Sequence, residues 1–204
     1  KAIEVGIGMV ADLKEKGYNV LATGEMGIGN TTTSSAVCSV LLDQSVEKVT
    51  GKGAGLTNKD LEHKIEVIRQ SIALNKVNAG DPLDVLAKVG GLDIAGMAGC
   101  YIGGAALNIP VFIDGFISSV AALIAIRLVP ECAPYLFPSH CSNEPAGRMI
   151  LDAIGKQPYI FANMCLGEGT GAVMGFTIAD YAFKAYWELP SFEQTNFGTY
   201  EELN

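Results

Sequence analysis

Basic residues are scarce in this 204-residue chain: 14 Lys and Arg stand against 22 Asp and Glu, a formal charge of −8, and no basic cluster offsets the excess. Nucleic acid and anionic membrane surfaces are therefore poor partners, because both require a positive footprint. The five cysteines are an odd number without a C-x-x-C pair. That excludes a disulfide framework and a cysteine zinc site, and it leads us to expect a reducing, cytoplasmic setting. Histidine is limited to His63 and His140, too few for a histidine cluster, so no metal is expected. A membrane span is also missing from expectation. The longest uncharged run, Ile94 to Ile113, contains Gly96, Gly99, Gly103, Gly104, Asn108 and Pro110 and meets Asp114 at once. It fits a buried helix followed by a buried strand better than a bilayer helix. The opening at Lys1 is amphipathic and does not read as a signal peptide.

What the chain has in excess is apolar residues, at 49%, and glycine, at 24 residues without a collagen-like period. The apolar content fills a sizeable core, and the glycines collect where loops should be. Ile3, Ile7, Val10 and Leu13 predict a helix that ends near Lys16, with Gly17 just past it. Tyr18 to Thr23 predicts a strand, Gly24 to Asn30 a glycine loop, and Thr31 to Leu42 a helix. After a second glycine loop, Gly51 to Gly55, Thr57-x-x-Asp60 forms a capping box for a long helix reaching about Asn78. Pro82 starts a helix that stops at Gly90-Gly91, and the Gly/Ala-rich helix Ile94 to Leu107 should pack closely on a sheet. Pro110 to Asp114 reads as a parallel strand buried on both faces.

Ser118 to Leu128 predicts a further helix, and Pro130 to Pro138 a proline-punctuated connection. Ser142 or Asn143 should cap a helix to Ile154. The apolar segment Tyr159 to Met164 then leads through Leu166 to Gly171 into a last helix from about Ala172 to Trp187. The alternation specifies an α/β fold with a mainly parallel sheet covered by helices on both faces, a Rossmann-like three-layer arrangement. Such sheets bind ligands at the carboxyl ends of their strands, here just after Ala22, Ile113 and Met164.

Gly24-Glu-Met-Gly-Ile-Gly-Asn30-Thr-Thr offers exposed N–H groups at a helix start and so suits a phosphate, unless it is only a close-packed turn. It lacks the Gly-Lys-Ser/Thr of a nucleotide P-loop and permutes the dinucleotide fingerprint. Glu25 either caps a neighbouring helix or pairs with Lys64, or it faces a cationic or proton-bearing part of a ligand. Glu168, between Gly167 and Gly169, is a general base if poorly solvated, or a helix-start acid stabilised by the dipole. Lys59 and Lys64 read as surface charges or anion ligands, and Asp114, ahead of Gly115, as a site acid or a structural cap; Asp93 is a weaker candidate. His140 and Cys141 invite a nucleophile or metal reading, but a loop that contacts a ligand or positions Glu168 suits them better.

Taken in order, Gly24-Glu-Met-Gly-Ile-Gly-Asn-Thr-Thr32, Asp114-Gly-Phe-Ile117, Ser139-His-Cys-Ser-Asn-Glu-Pro145 and Leu166-Gly-Glu-Gly-Thr-Gly-Ala172 resemble the nicotinate-nucleotide:dimethylbenzimidazole phosphoribosyltransferases. The resemblance runs from near residue 1 to about residue 185. It implies the C-terminal part of the family's chain, roughly three-fifths of it, with the family's N-terminal region not represented. It also implies transfer of the phosphoribosyl group of nicotinate mononucleotide to 5,6-dimethylbenzimidazole or a related azole, giving α-ribazole 5′-phosphate and nicotinate in cobamide lower-ligand synthesis.

By the same resemblance Glu168 is the general base and Glu25 a second carboxylate. Gly27, Ile28, Gly29, Asn30, Thr31 and Lys64 hold the phosphate. Asp93, Asp114, Gly115, Ser142, Asn143, Leu166 and Gly167 form the nucleotide and ribose pocket. Residues 1–187 become a nucleotide-binding catalytic domain and 188–204 a peripheral arm. The partners are these small molecules and a second copy in a homodimer, and no cofactor is implied. Cys165 and Ala146-Gly-Arg148 depart from the family's pattern, which bears on contacts to the nicotinate carboxylate or on subunit packing. The alternative is a non-catalytic nucleotide- or azole-binding α/β domain, or an inactive fragment.

Overall fold

Alternating apolar segments and glycine turns fold, in a computed structural model that describes residues 1–195, as helices around a small parallel sheet. The elements are α1 (Ala2–Glu15), β1 (Leu21–Ala22), α2 (Asn30–Leu42), α3 (Val46–Val49), α4 (Asn58–Leu74), α5 (Pro82–Val89), α6 (Leu92–Ala106) and β2 (Val111–Ile113). They are followed by α7 (Phe116–Leu128), a 3₁₀ turn (Pro130–Tyr135), β3 (Leu136–Pro138), α8 (Gly147–Ala153) and α9 (Thr170–Glu188). The three strands are parallel in the order β1-β2-β3, with Leu21 opposite Val111 and Val111 opposite Leu136.

Every residue of β2 is buried, as a central strand covered on both faces requires. Side chains alternate along a strand, so Val111 and Phe112 face opposite layers. Val111 lies under α6, where a Cβ on Gly104 would come within 2.5 Å of its Cγ2. Phe112 meets the other layer, edge-on to Phe176 of α9 at 4.8 Å. The carboxyl end of β1 is tied to the helical layer by Thr23 and Tyr101, whose hydroxyls lie 2.6 Å apart, while Tyr101 donates to the Ser118 carbonyl. The start of the site is therefore anchored to a fully buried side chain.

The glycines of α6 serve a different contact from the one expected. They let α1 approach: an added Cβ on Gly99 would stand 2.0 Å from the Ile3 carbonyl oxygen, and one on Gly6 would stand 2.0 Å from that of Gly96. Only Gly104 faces the sheet. Gly99→Ala is expected to force these helices apart and to cost about 2 kcal/mol, as overpacking typically does. Gly8→Ala, on the exposed side of α1 with nothing within 4 Å, should be neutral or stabilising by up to about 1 kcal/mol. Urea unfolding midpoints of the two variants check the contrast.

Several boundaries moved. The strand expected over Tyr18 to Thr23 pairs only at Leu21 and Ala22. The connection Pro130 to Pro138 contains β3, because its prolines sit in the 3₁₀ turn and at the last position of an edge strand, where a missing N–H is tolerated. Helix α4 stops at Leu74 rather than near Asn78, and α8 starts at Gly147 rather than at Ser142 or Asn143. Tyr159 to Met164 forms no strand beyond a single parallel bridge between Ile160 and His140. Among the described residues no helix is long and apolar enough to cross a membrane, and no group of His, Cys, Asp and Glu could hold a metal ion. Of the arm expected over 188–204, residues 196–204 lie outside the described part.

Candidate functional site

Beyond the carboxyl ends of the strands lies a cavity of about 110 Å³. Two glycine loops meet at its edge. Gly24, after β1, is so close to the loop before α9 that a Cβ there would lie 2.6 Å from the Gly169 backbone, and the Glu168 N–H donates to the Glu25 carbonyl at 2.9 Å. The two acids found in the sequence are thus joined through their backbones. Their side chains differ in setting. Glu25 lines the cavity, and its Oε2 accepts from the Gly27 N–H at 2.6 Å and from the Asn30 amide. That amide also donates to Asp93 at 2.8 Å. Glu25 makes no ion pair with Lys64 among the described residues. Glu168 is exposed and stands next to the lining residues Leu166 and Gly167, so the dry surroundings that its sequence context suggested are not present around it.

The two loops treat their N–H groups oppositely. Before α9, Glu168 donates to Glu25 and Thr170 to Gly167. Gly169 donates to Asp114 Oδ2 at 3.0 Å, and Gly171 and Ala172 donate to Asp114 Oδ1 at 2.8 and 3.2 Å. An internal carboxylate already fills this helix start. At the start of α2 the N–H groups of Ile28, Gly29, Asn30 and Thr31 have no acceptor among the described residues. They point the positive end of a helix at the cavity edge, an arrangement whose chemistry suits an anion. Lys64 stands behind it, only 7% exposed, donating to Thr31 Oγ1 at 2.9 Å and to the Gly51 carbonyl at 3.0 Å. Burial pushes its pKa down, and the nearby Glu144 carboxylate counters that shift.

Gly167, Glu168 and Gly169 all have positive φ, at 77°, 58° and 81°. Glycine takes this geometry freely, whereas a glutamate there costs about 1 kcal/mol or more. Asp114, 2% exposed, holds the strained turn in place. Beneath it lies His140, 2.0 Å from where a Gly171 Cβ would be, with Nδ1 3.1 Å from Ser139 Oγ. Burial pushes the His140 pKa down and Asp114 opposes this. The imidazole packs under the Gly171 backbone and also lines the cavity.

Of the residues singled out in the sequence, Glu25, Gly27, Thr31, Asp114, Gly115, His140, Ser142, Leu166 and Gly167 line the cavity. Ile28, Gly29, Asn30, Lys64, Asp93 and Glu168 surround it. Asn143 lies apart from the lining, its N–H donating to the Met164 carbonyl at 3.2 Å. Cys165, tied in the sequence only to a departure from the family's pattern, also lines the cavity, whereas Met26, Gly53, Ala54, Phe116, Ile117, Ser118 and Glu144 were given no site role from the sequence. What places Glu144 there is a distant contact: Gly51 has no room for a Cβ, which would fall 1.9 Å from the Glu144 Oε2.

A family model described as phosphoribosyltransferase, DBI_PRT, matches residues 1–197. The nicotinate-nucleotide–dimethylbenzimidazole phosphoribosyltransferase of Ruminiclostridium cellulolyticum is 54% identical over 203 residues, 100% of this chain and 58% of the relative. That of Acetivibrio thermocellus is 50% identical over 201 residues, 98% of this chain and 57% of the relative. The crystal structure of CobT from Thermus thermophilus is similar at a TM-score of 0.90 and 33% identity, covering 97% of this chain and 59% of that one. The chain therefore spans somewhat over half the length of the proteins it matches.

Proposed function

Because the chain belongs to this phosphoribosyltransferase family, we propose that it moves the phosphoribosyl group of nicotinate mononucleotide to 5,6-dimethylbenzimidazole or a related azole. The observation that carries this reading is the junction of the two loops: unfilled N–H groups and Lys64 on one side, Glu168 on the other, one backbone hydrogen bond apart.

The phosphate sits on the α2 N–H groups beside Lys64 and Gly53, which fixes the sugar by its tail. An azole nitrogen attacks the anomeric carbon as its N–H proton passes to the Glu168 carboxylate. The bond from that carbon to the pyridinium nitrogen breaks, its electron pair staying on nitrogen, so nicotinate leaves with a neutral ring and needs no acid. Inversion gives α-ribazole 5′-phosphate. Glu25, held by Gly27 and Asn30, stabilises the positive charge that develops on the sugar. Met26 and Leu166 line the cavity yet are largely exposed, and they offer the flat azole an apolar contact beside Glu168.

Residues 1–187 act in this reading as the catalytic domain and 188–204 as a peripheral arm. The homodimer and the cytoplasmic setting belong to the same proposal. What supports the former is the aromatic surface of α9, where Phe183, Tyr186 and Trp187 are exposed. What supports the latter is five free thiols.

Nicotinate mononucleotide and 5,6-dimethylbenzimidazole incubated with the protein should yield α-ribazole 5′-phosphate and nicotinate in equal amounts by chromatography. Calorimetric binding of both substrates without product would instead mark a non-catalytic binding domain.

A further inference from the structure

Among the described residues three carboxylates line the cavity: Glu25, Asp114 and Glu144. The first accepts from Gly27 and Asn30, and the second from Gly169, Gly171 and Ala172. The carboxylate of Glu144 accepts no hydrogen bond among the described residues, although it is half-buried. Its backbone is fixed on both sides, the N–H donating to Ser142 Oγ at 3.3 Å and the carbonyl accepting from Gly147 at 2.8 Å. Its side chain lies against Gly51, whose carbonyl the Lys64 ammonium holds. Burial pushes the Glu144 pKa up and Lys64 pulls it back. A built, partly desolvated carboxylate without a donor is an acceptor waiting for one.

The proposed substrate limits what that donor can be. At neutral pH nicotinate mononucleotide carries a phosphate and a carboxylate, both acceptors, and its only strong donors are the 2′- and 3′-hydroxyls of the ribose. We infer that Glu144 is the ribose-recognition residue of the cavity, accepting from these hydroxyls while repelling the phosphate toward the α2 loop. The inference rests on the proposed function and adds the residue that distinguishes a ribosyl phosphate from other phosphate ligands. It gives Glu144 a specificity role that needs no part in the bond-making step.

Calorimetry on the intact protein tests it with two probes, nicotinate mononucleotide and inorganic phosphate. Glu144→Ala should weaken the nucleotide tenfold or more and leave inorganic phosphate unchanged or tighter, because a negative charge near the anion site is gone. Glu144→Gln, isosteric and able to keep the contact with Gly51, should weaken the nucleotide less and guards against a folding defect. A second pair, ribose 5-phosphate and 2-deoxyribose 5-phosphate, should differ in affinity in the wild type and converge in Glu144→Ala. Equal loss of nucleotide and phosphate, or no loss of either, overturns the ribose role. Failure of the wild type to bind nicotinate mononucleotide at all removes the proposed function with it.

Discussion

Glu168→Gln is expected to lower the turnover of phosphoribosyl transfer by about 10³-fold, within the range that removing a general base produces, while the nucleotide dissociation constant stays within about twofold. The two quantities separate because they belong to different loops. The N–H groups without an acceptor, proposed to hold the phosphate, lie at Ile28 to Thr31, whereas Glu168, the proposed proton acceptor, sits on the turn before α9. The amide keeps the shape of the side chain and its left-handed backbone but does not take up the azole proton. Glu168→Gly sharpens the test. It should abolish turnover equally and raise stability by about 1 kcal/mol, since glycine relieves the cost of φ +58°. A turn that is more stable without its acid is one that holds strain for function. Unchanged turnover in Glu168→Gln, measured with saturating azole, would remove Glu168 from the base role.

The parts of this molecule legible in the sequence were those written locally. Thr57 caps α4, accepting from the Asp60 N–H, as the Thr-x-x-Asp spacing implied. Asp81 and Pro82 start α5, with the Asp81 side chain accepting from Leu83 and Asp84. The apolar run Val111 to Ile113 is the central strand. Features that depend on a distant partner were not legible. No local pattern says that the glycines of α6 admit α1, since what Gly99 must clear is the carbonyl of Ile3, at the other end of the first half of the chain. Strand β3 hid behind prolines because its only justification is its pairing with β2.

The site divides along the same line. Both acidic glycine turns were visible, because glycine and carboxylate are adjacent in the chain. That one turn is open to an anion and the other is closed by Asp114 depends on hydrogen bonds spanning 55 to 58 residues. Glu144, quoted within the Ser139–Pro145 motif, was given no role for the same reason: its counterpart is the bare backbone of Gly51, far away in sequence.

The second large effect falls on Asp114. By the family resemblance it belongs to the nucleotide pocket, and it does line the cavity, yet both of its oxygens are engaged by N–H groups around Glu168. If its task is to hold that turn, Asp114→Ala leaves the N–H groups of Gly169, Gly171 and Ala172 without their acceptor. At roughly 1–3 kcal/mol for each buried donor left unpaired, the loss from three donors is on the order of 3–9 kcal/mol, a large part of the stability of a domain of this size. Asp114→Asn is the more informative variant. Its single oxygen can still serve Gly171 and Ala172, but its amide then confronts the Gly169 N–H, donor against donor, one residue from Glu168. Turnover should fall about 10²-fold with the nucleotide affinity unchanged, because displacing a reacting group by about an ångström costs that much and the α2 anion site is untouched. The reverse pattern, normal turnover with weakened nucleotide binding, would mean that Asp114 acts on the sugar directly and that the turn keeps its shape without it. Steady-state kinetics beside calorimetry on the same preparation distinguish the two, and a thermal melt shows whether the variant is folded when both are measured.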